Sequence, residues 1–273
     1  RGLAVAILAS GQGIAGFVWL PLVTSLNDSI GWRDTYLYFG IFAFVTMAPL
    51  TILLRPRPPV APVGSMGGAT ASSTTRLKLN ADVAQGVMWL AVIGCCVGMA
   101  VPIVHLISHA TDLGYSSGQA SQVLTVLFTA AIFSRIGFGA MADRLGATVT
   151  LMLGSCCQGA VLLLFAVVDS LTGLYVAALL FGIGFAGIMP CYPLLIRVLF
   201  PVTQVGWRVA AQYLFAAGGM AFGGWLGGAI FDAAGSYKYA FLTAFAFTAF
   251  NLVMVTLLHF GRSRGSTENT VPA

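Results

Sequence analysis

Long apolar runs separated by short polar punctuation dominate the chain: Leu3 to Leu26, Thr35 to Leu54, Val87 to Ala110, Ala120 to Gly137, Thr148 to Val168, Leu171 to Ile196, Val209 to Phe231 and Tyr239 to Phe260. Each approaches or exceeds the roughly 20 residues that cross a hydrocarbon core about 30 Å thick as an α-helix. The pattern therefore predicts an all-α integral membrane fold with eight transmembrane helices. One stretch interrupts it. Arg55 to Gly86 carries Pro56, Pro58, Pro59 and Pro62, then a Gly/Ser/Thr/Ala run ending at Arg76 and Lys78. Such a segment cannot bury a core and reads as a flexible linker. The expected organisation is two helices over 1–54, a linker over 55–86, six helices over 87–260 and a polar tail over 261–273.

Composition agrees with the pattern: 58% of the 273 residues are hydrophobic and only 8% are charged, against about 25% charged in an ordinary soluble domain. The net charge of +5 raises the question of a nucleic-acid partner, and the positions of the basic residues answer it. With the polar Asp143-Arg144 connection placed inside and the loops alternating, the inner side holds Arg1, Arg55, Arg57, Arg76, Lys78, Arg144, Arg197, Arg208, Arg262 and Arg264. The outer side holds Arg33 and Lys238. This asymmetry is the positive-inside rule, so the basic balance is topological and implies no nucleic acid. Cys95, Cys96, Cys156, Cys157 and Cys191 all fall within apolar runs, without C-x-x-C spacing or a nearby histidine. They read as small packing residues rather than metal ligands, and neither a metal nor a cofactor is expected.

Between two of the runs lies Gly139-Ala140-Met141-Ala142-Asp143-Arg144-Leu145-Gly146. An adjacent acid and base are costly in hydrocarbon, so this segment is expected to form a short loop at the membrane surface. The pattern Gly-x-x-x-Asp-Arg-x-Gly resembles the signature loop of the major facilitator superfamily of secondary transporters, which lies on the cytoplasmic side between the second and third helices of each six-helix half. The resemblance implies a gating role for Gly139, Asp143, Arg144 and Gly146, with Asp143 engaging a neighbouring helix end in one conformation. Simple anchoring by Arg144 and capping by Asp143 are compatible with the same residues. A short echo, Asp28-x-x-Gly31 and Asp232-x-x-Gly235, recurs six spans apart, as parallel six-helix halves would produce. The eight spans would then be helices five to twelve of a twelve-helix fold, whose first four helices are the expected intramolecular partner. Pro102-Ile103-Val104-His105-Leu106, Ala110-Thr111-Asp112-Leu113-Gly114 and Asp232 to Tyr237 look like the monocarboxylate-porter and oxalate/formate-antiporter branch.

Arg135 is the charge that falls inside a predicted span, about four residues, or ~6 Å, from its inner end. One reading is snorkelling to the headgroups along its own stem. The other is an anion clamp, because the guanidinium fork matches a carboxylate with two hydrogen bonds. In the related porters an arginine four residues before the loop glycine binds the substrate carboxylate, but an aspartate expected one turn earlier is replaced here by Ala131. His105 shares a helix face with His109 at i+4 and offers a titratable group for proton coupling or, equally, an interfacial polar contact near the kink at Pro102. Gly11-Gln12-Gly13-Ile14-Ala15-Gly16 matches a dinucleotide fingerprint, but it lies in an uncharged apolar run without a βαβ unit. Gly219, Gly223 and Gly227 recur at four-residue spacing and are expected to allow close helix packing.

The sequence lacks a serine nucleophile motif and paired intramembrane carboxylates, so an enzyme is not expected. The resulting expectation is a multi-pass transporter of the plasma membrane that moves a small organic anion, a monocarboxylate or dicarboxylate, by proton symport or anion exchange. A transporter-like sensor or membrane enzyme that binds without translocating is the rival, and an exporter of another small molecule is a second alternative.

Overall fold

The computed structural model describes residues 31–53 and 80–261, with scattered positions between 11 and 30. The chain divides into two compact units, Ile14–Ser73 and a larger one holding Arg1–Gly13 and Thr74–Ala273. In the first unit, α1 (Trp32–Leu53) fills the second predicted run. It follows Gly31, whose φ of 83° is a left-handed joint. Gly235, the echoed glycine, has φ 65° and stands just before the last helix. The two glycines of the sequence echo thus both have positive φ, which suits glycine because it has no Cβ. The run Leu3 to Leu26 and Asp28 lie largely outside the described residues.

The larger unit contains α2 (Ala81–Asp112), α3 (Ser117–Leu145), α4 (Ala147–Phe165), α5 (Leu171–Phe185), α6 (Ile188–Leu199), α7 (Val202–Ala234) and α8 (Tyr237–Phe260). With α5 and α6 forming one span, Leu171–Leu199, six helical segments here are long and apolar enough to cross a membrane. Several helices outrun their apolar stretches. α2 begins at Ala81, inside the segment read as linker, and α7 begins at Val202, seven residues before its predicted run. Arg208, expected in an inner loop, is consequently a helical residue and is only 3% exposed. Hydropathy marks where a helix meets lipid, whereas the helix itself continues wherever backbone groups and bundle contacts permit.

α2 lies along α7 and α8, α4 packs on α8 and α5, and α3 packs on α5. Buried apolar residues from these helices, including Met88, Val92, Leu127, Leu162, Phe181, Phe241 and Leu195, form one core. A polar cluster crosses that core. Asn251 Nδ2 donates to Ala91 O and to Tyr192 Oη, both at 2.7 Å, and Ser155 Oγ donates to Asn251 Oδ1 at 2.7 Å. Gln158 Nε2 donates to Cys95 O at 3.2 Å and Thr248 Oγ1 at 3.1 Å. These bonds tie α2, α4, α6 and α8 together where lipid-like surroundings offer polar groups no water.

The span Leu171–Leu199 is broken at Ala186 and Gly187. Pro190 lacks the N–H that would bond to Ala186 and its ring crowds that carbonyl, which explains the interruption. Helix starts differ in their caps. Ser116 forms a capping box with Gln119 at the start of α3, and Ser170, Ser236 and Asn80 cap α5, α8 and α2. α4 starts at Gly146 without a side-chain cap.

Candidate functional site

α3 positions Arg135. It runs unbroken from its Ser116 cap to Leu145, which places Arg135 ten residues, about 15 Å, from the helix end rather than the four residues expected from hydropathy. The side chain is 7% exposed. At this level α3 meets the broken span: Ser134 Oγ donates to Ile183 O, and Phe138 covers Gly187 and Gly154. A Cβ on Gly182 would strike the backbone carbonyl of Leu127, so α5 and α3 are in backbone contact about two turns along α3 from Arg135. The guanidinium lies within electrostatic reach of the Tyr213 phenol on α7, a side chain 49% exposed. Arg135 therefore stands at an edge of the buried core, beside a discontinuous helix.

The motif segment is helical rather than a loop. Asp143 and Arg144 occupy the last turn of α3, both exposed, and Gly139 is buried one turn earlier. Only Gly146 joins the helices: its φ is 84°, and its N–H donates to Ala142 O at 3.0 Å. A glycine at this left-handed joint allows α4 to start one residue after α3 ends. Arg144 complements the negative end of the α3 dipole.

His105 is placed elsewhere. Its Nε2 donates to Gly224 O of α7 at 2.7 Å and its ring lies 5.3 Å from that of Tyr237. Since a carbonyl accepts only, Nε2 carries the proton and Nδ1 is the nitrogen left to bind another. Tyr213 and Gly224 are eleven residues apart along α7, about 16 Å, so Arg135 and His105 occupy separate levels. Gly227 accommodates the His105 ring: an added Cβ would lie 2.6 Å from Cδ2. Gly219 and Gly223 meet α2 directly. A Cβ on Gly223 would sit 2.8 Å from Val97 Cα and O, and one on Gly219 would sit 3.0 Å from Ile93 O and Cys96 Cβ. His109, on the same face as His105, is buried between Tyr237 and Phe241 at the rim of an outer cavity of about 430 Å³. Asp112, Asp169 and Lys238 also line that cavity, a balance of charge that does not favour an organic anion.

Arg208 is the residue the sequence reading misplaced. Nε and Nη2 donate to Gln204 Oε1 at 3.1 and 2.9 Å, Nη1 donates to Gln85 Oε1 at 3.2 Å, and Nη2 lies 3.6 Å from Asp82 Oδ1. Phe200 and Trp207 flank the guanidinium, with ring centroids at 4.0 and 4.5 Å. Gln212 Nε2 continues the chain of contacts to Met88 O at 3.0 Å. The signal was present in the spacing of Gln204, Arg208 and Gln212, which recur every four residues and so share one helix face. Among the described residues, no group of three or more His, Cys, Asp or Glu could hold a metal ion.

A family model described as Major Facilitator Superfamily matches residues 88–272. Monocarboxylate transporter 13 of Bos taurus is 27% identical over 263 residues, covering 95% of this chain and 61% of the relative. The Rattus norvegicus protein of the same name is 28% identical, covering 95% and 60%. An Aspergillus flavus relative, MFS transporter asaE, is 28% identical over 88% of this chain and 53% of its own length. The chain thus spans about three-fifths of the length of the monocarboxylate relatives. Among solved structures, a Major Facilitator Superfamily transporter, FucP, in the outward conformation superposes with a TM-score of 0.62 at 17% identity, over 94% of this chain and 68% of that one. A single-site variant of the E. coli fucose:proton symporter, FucP, gives 0.60 at 17% identity, over 90% and 65%.

Proposed function

The chain belongs to the Major Facilitator Superfamily, and from that premise we propose that its protein is a plasma-membrane secondary transporter of a small organic anion, a monocarboxylate or dicarboxylate. Transport proceeds by alternating access between two six-helix halves around a midplane site, of which this chain supplies the second and the last two helices of the first. Its multi-pass helical fold and the transporter names of its relatives support a transporter rather than an enzyme.

One observation carries the substrate reading: Arg135 is buried about 15 Å from the end of α3. Its side chain is 7% exposed and so packs against protein, which favours this reading over snorkelling to the headgroups along its stem. A guanidinium held there beside Tyr213 and the break in the neighbouring span suits a carboxylate gripped through two parallel hydrogen bonds. The relatives named as monocarboxylate transporters agree with that chemistry. Exchange or proton symport supplies the driving force. His105 Nδ1 is the proton candidate, and Asp143 and Arg144 remain the candidate gate, about twelve ångströms or more along α3 from Arg135.

Uptake of a labelled monocarboxylate into proteoliposomes by the full-length protein tests both levels. We expect flux, with KM raised roughly tenfold or more in Arg135→Gln and partly restored in Arg135→Lys, the loss of about one charge-assisted bidentate contact. Unchanged apparent affinity in both variants sinks the clamp, and binding without flux sinks the transporter in favour of a sensor. An uptake pH profile that His105→Gln leaves unaltered removes His105 as the proton site.

A further inference from the structure

α2 carries His109 one turn outward from His105, at the rim of the outer cavity of about 430 Å³. The side chain is 8% exposed. Its ring meets Tyr237 and Phe241 of α8 edge-on, with centroids 5.8 and 5.2 Å away and interplanar angles of 78° and 75°. Nε2 is enclosed there without a hydrogen-bond partner, whereas Nδ1 is not among the enclosed, unpartnered atoms. A proton therefore arrives from the cavity at Nδ1. The neutral ring suits this position, because one of its nitrogens carries no hydrogen. The imidazolium does not: both nitrogens then donate, and Nε2–H becomes a charged donor facing aromatic carbon.

Anions stand close by. Asp169 and Asp112 line the same cavity and lie within electrostatic reach of the ring. Asp112 follows His109 by three residues on α2, so the two are neighbours on the helix surface, and Asp169 belongs to the connection between α4 and α5. Among the described residues neither carboxylate joins an ion pair, and Lys238, the cation that lines the cavity, joins none either. The remaining titratable neighbours are Tyr237 and His105, whose Nε2 is committed to Gly224 O. Two positions are thus open to His109, each suited to one protonation state. The neutral ring sits between Tyr237 and Phe241, and the imidazolium turns into the cavity toward Asp112 and Asp169, which outnumber Lys238.

We infer that His109 is a proton-operated latch between α2 and α8 at the outer end of the larger unit. When neutral, its ring holds the start of α8 through Tyr237 and Phe241. When protonated, it leaves that contact for the carboxylates, and acid shifts the population because the two positions differ in their affinity for the proton. Tyr237 stays stacked on Phe231, with centroids 4.3 Å apart, so the loosening is confined to the first turns of α8. The latch is independent of the Arg135 clamp and needs no transport, so either can fail alone.

Hydrogen–deuterium exchange of the full-length protein in a non-ionic detergent, read by mass spectrometry at about pH 7.5 and about pH 5.5, tests the latch on either side of the histidine range. After correction for the pH dependence of chemical exchange, the amides from Ala240 to Phe245 are expected to exchange roughly tenfold faster at the lower pH, the change that one pH unit gives a single titrating group. Those from Thr248 to Met254, deeper in the same helix, keep their protection. His109→Phe keeps a ring between Tyr237 and Phe241 but cannot titrate, and the response disappears. Asp112→Asn/Asp169→Asn removes the acceptors, and the response is largely lost. Equal protection of the outer segment at both pH values in the wild type, or a full response in His109→Phe, overturns the inference. A response that His105→Gln abolishes and folded His109→Phe retains belongs to His105 and overturns it as well. If His109→Phe proves unfolded, the double variant decides, because an undiminished response there removes the carboxylates and the latch with them.

Discussion

Arg135 and Arg208 are both buried arginines within membrane-length helices, at 7% and 3% exposure, yet their surroundings differ. Arg208 is enclosed by partners from its own six-helix unit, Gln204, Gln85 and Asp82, between the faces of Phe200 and Trp207. Arg135 stands at the border of that unit, next to a half-exposed tyrosine and a broken span. Burial and charge alone do not say what holds an arginine inside such a helix. At Arg208 the neighbouring dipoles answer that question: side-chain amide oxygens aimed at the guanidinium replace the water it left.

That claim can be broken most directly by removing the dipoles and keeping the charge. In Gln85→Leu/Gln204→Leu the guanidinium stays buried with only the exposed Asp82 near it, and we expect a loss of about 3 kcal/mol, because an uncompensated buried charge costs more than the pairing returned. Arg208→Met removes the charge instead and leaves neutral amides behind, for an expected loss of about 2 kcal/mol. Denaturant unfolding of the full-length protein in detergent measures both. An Arg208→Met loss larger than that of the double glutamine variant would falsify the view that the amides exist to solvate the charge.

Arg208 shares a buried face of α7 with Gln212, Ala216, Gly219, Gly223 and Gly227. The inner part of that face is held to α2 by polar contacts and the outer part by backbone approach. Gly223→Ala asks which matters more. Its Cβ would lie 2.8 Å from Val97 Cα and O, so the helices must separate, and overpacking of this kind costs about 1–3 kcal/mol. We expect about 2 kcal/mol in the same unfolding measurement. A change below about 0.5 kcal/mol would show that α7 slides freely at this level, leaving the Arg208 network as the main link between α2 and α7.

The sequence made the spans legible because burial in lipid imposes length and apolarity on every residue of a run. It did not make the helix ends legible. Arg208, Gln204 and Gln85 are polar, so a hydropathy boundary excluded them, although each is part of a helix and two of the three are buried. Asp143-Arg144 suggested a loop, but exposed residues in the last helical turn satisfy the same solvation requirement. The interruption in Leu171–Leu199 was written in Gly187, Pro190 and Pro193 and hidden by their apolar neighbours. The residue types of the candidate site were therefore readable, whereas its depth and partners depended on contacts between helices far apart in sequence.

The smallest expected effect tests the comparison at its edge. Asp82 carries the full negative charge near Arg208, at 3.6 Å, but its side chain is 86% exposed. Water competes for that carboxylate, and exposed ion pairs contribute about 0–1 kcal/mol. The two glutamines, by contrast, reach Arg208 at 2.9 to 3.2 Å with neutral oxygens. If near, oriented dipoles stabilise Arg208 more than a distant solvated charge, Asp82→Asn lowers unfolding stability by no more than about 0.5 kcal/mol, with that loss shrinking further at high salt. A loss approaching that of the double glutamine variant would mean that formal charge dominates at Arg208. The carboxylate would then be the element of this network that matters, and Arg208 would depend on an ion pair at the membrane surface rather than on its buried amides.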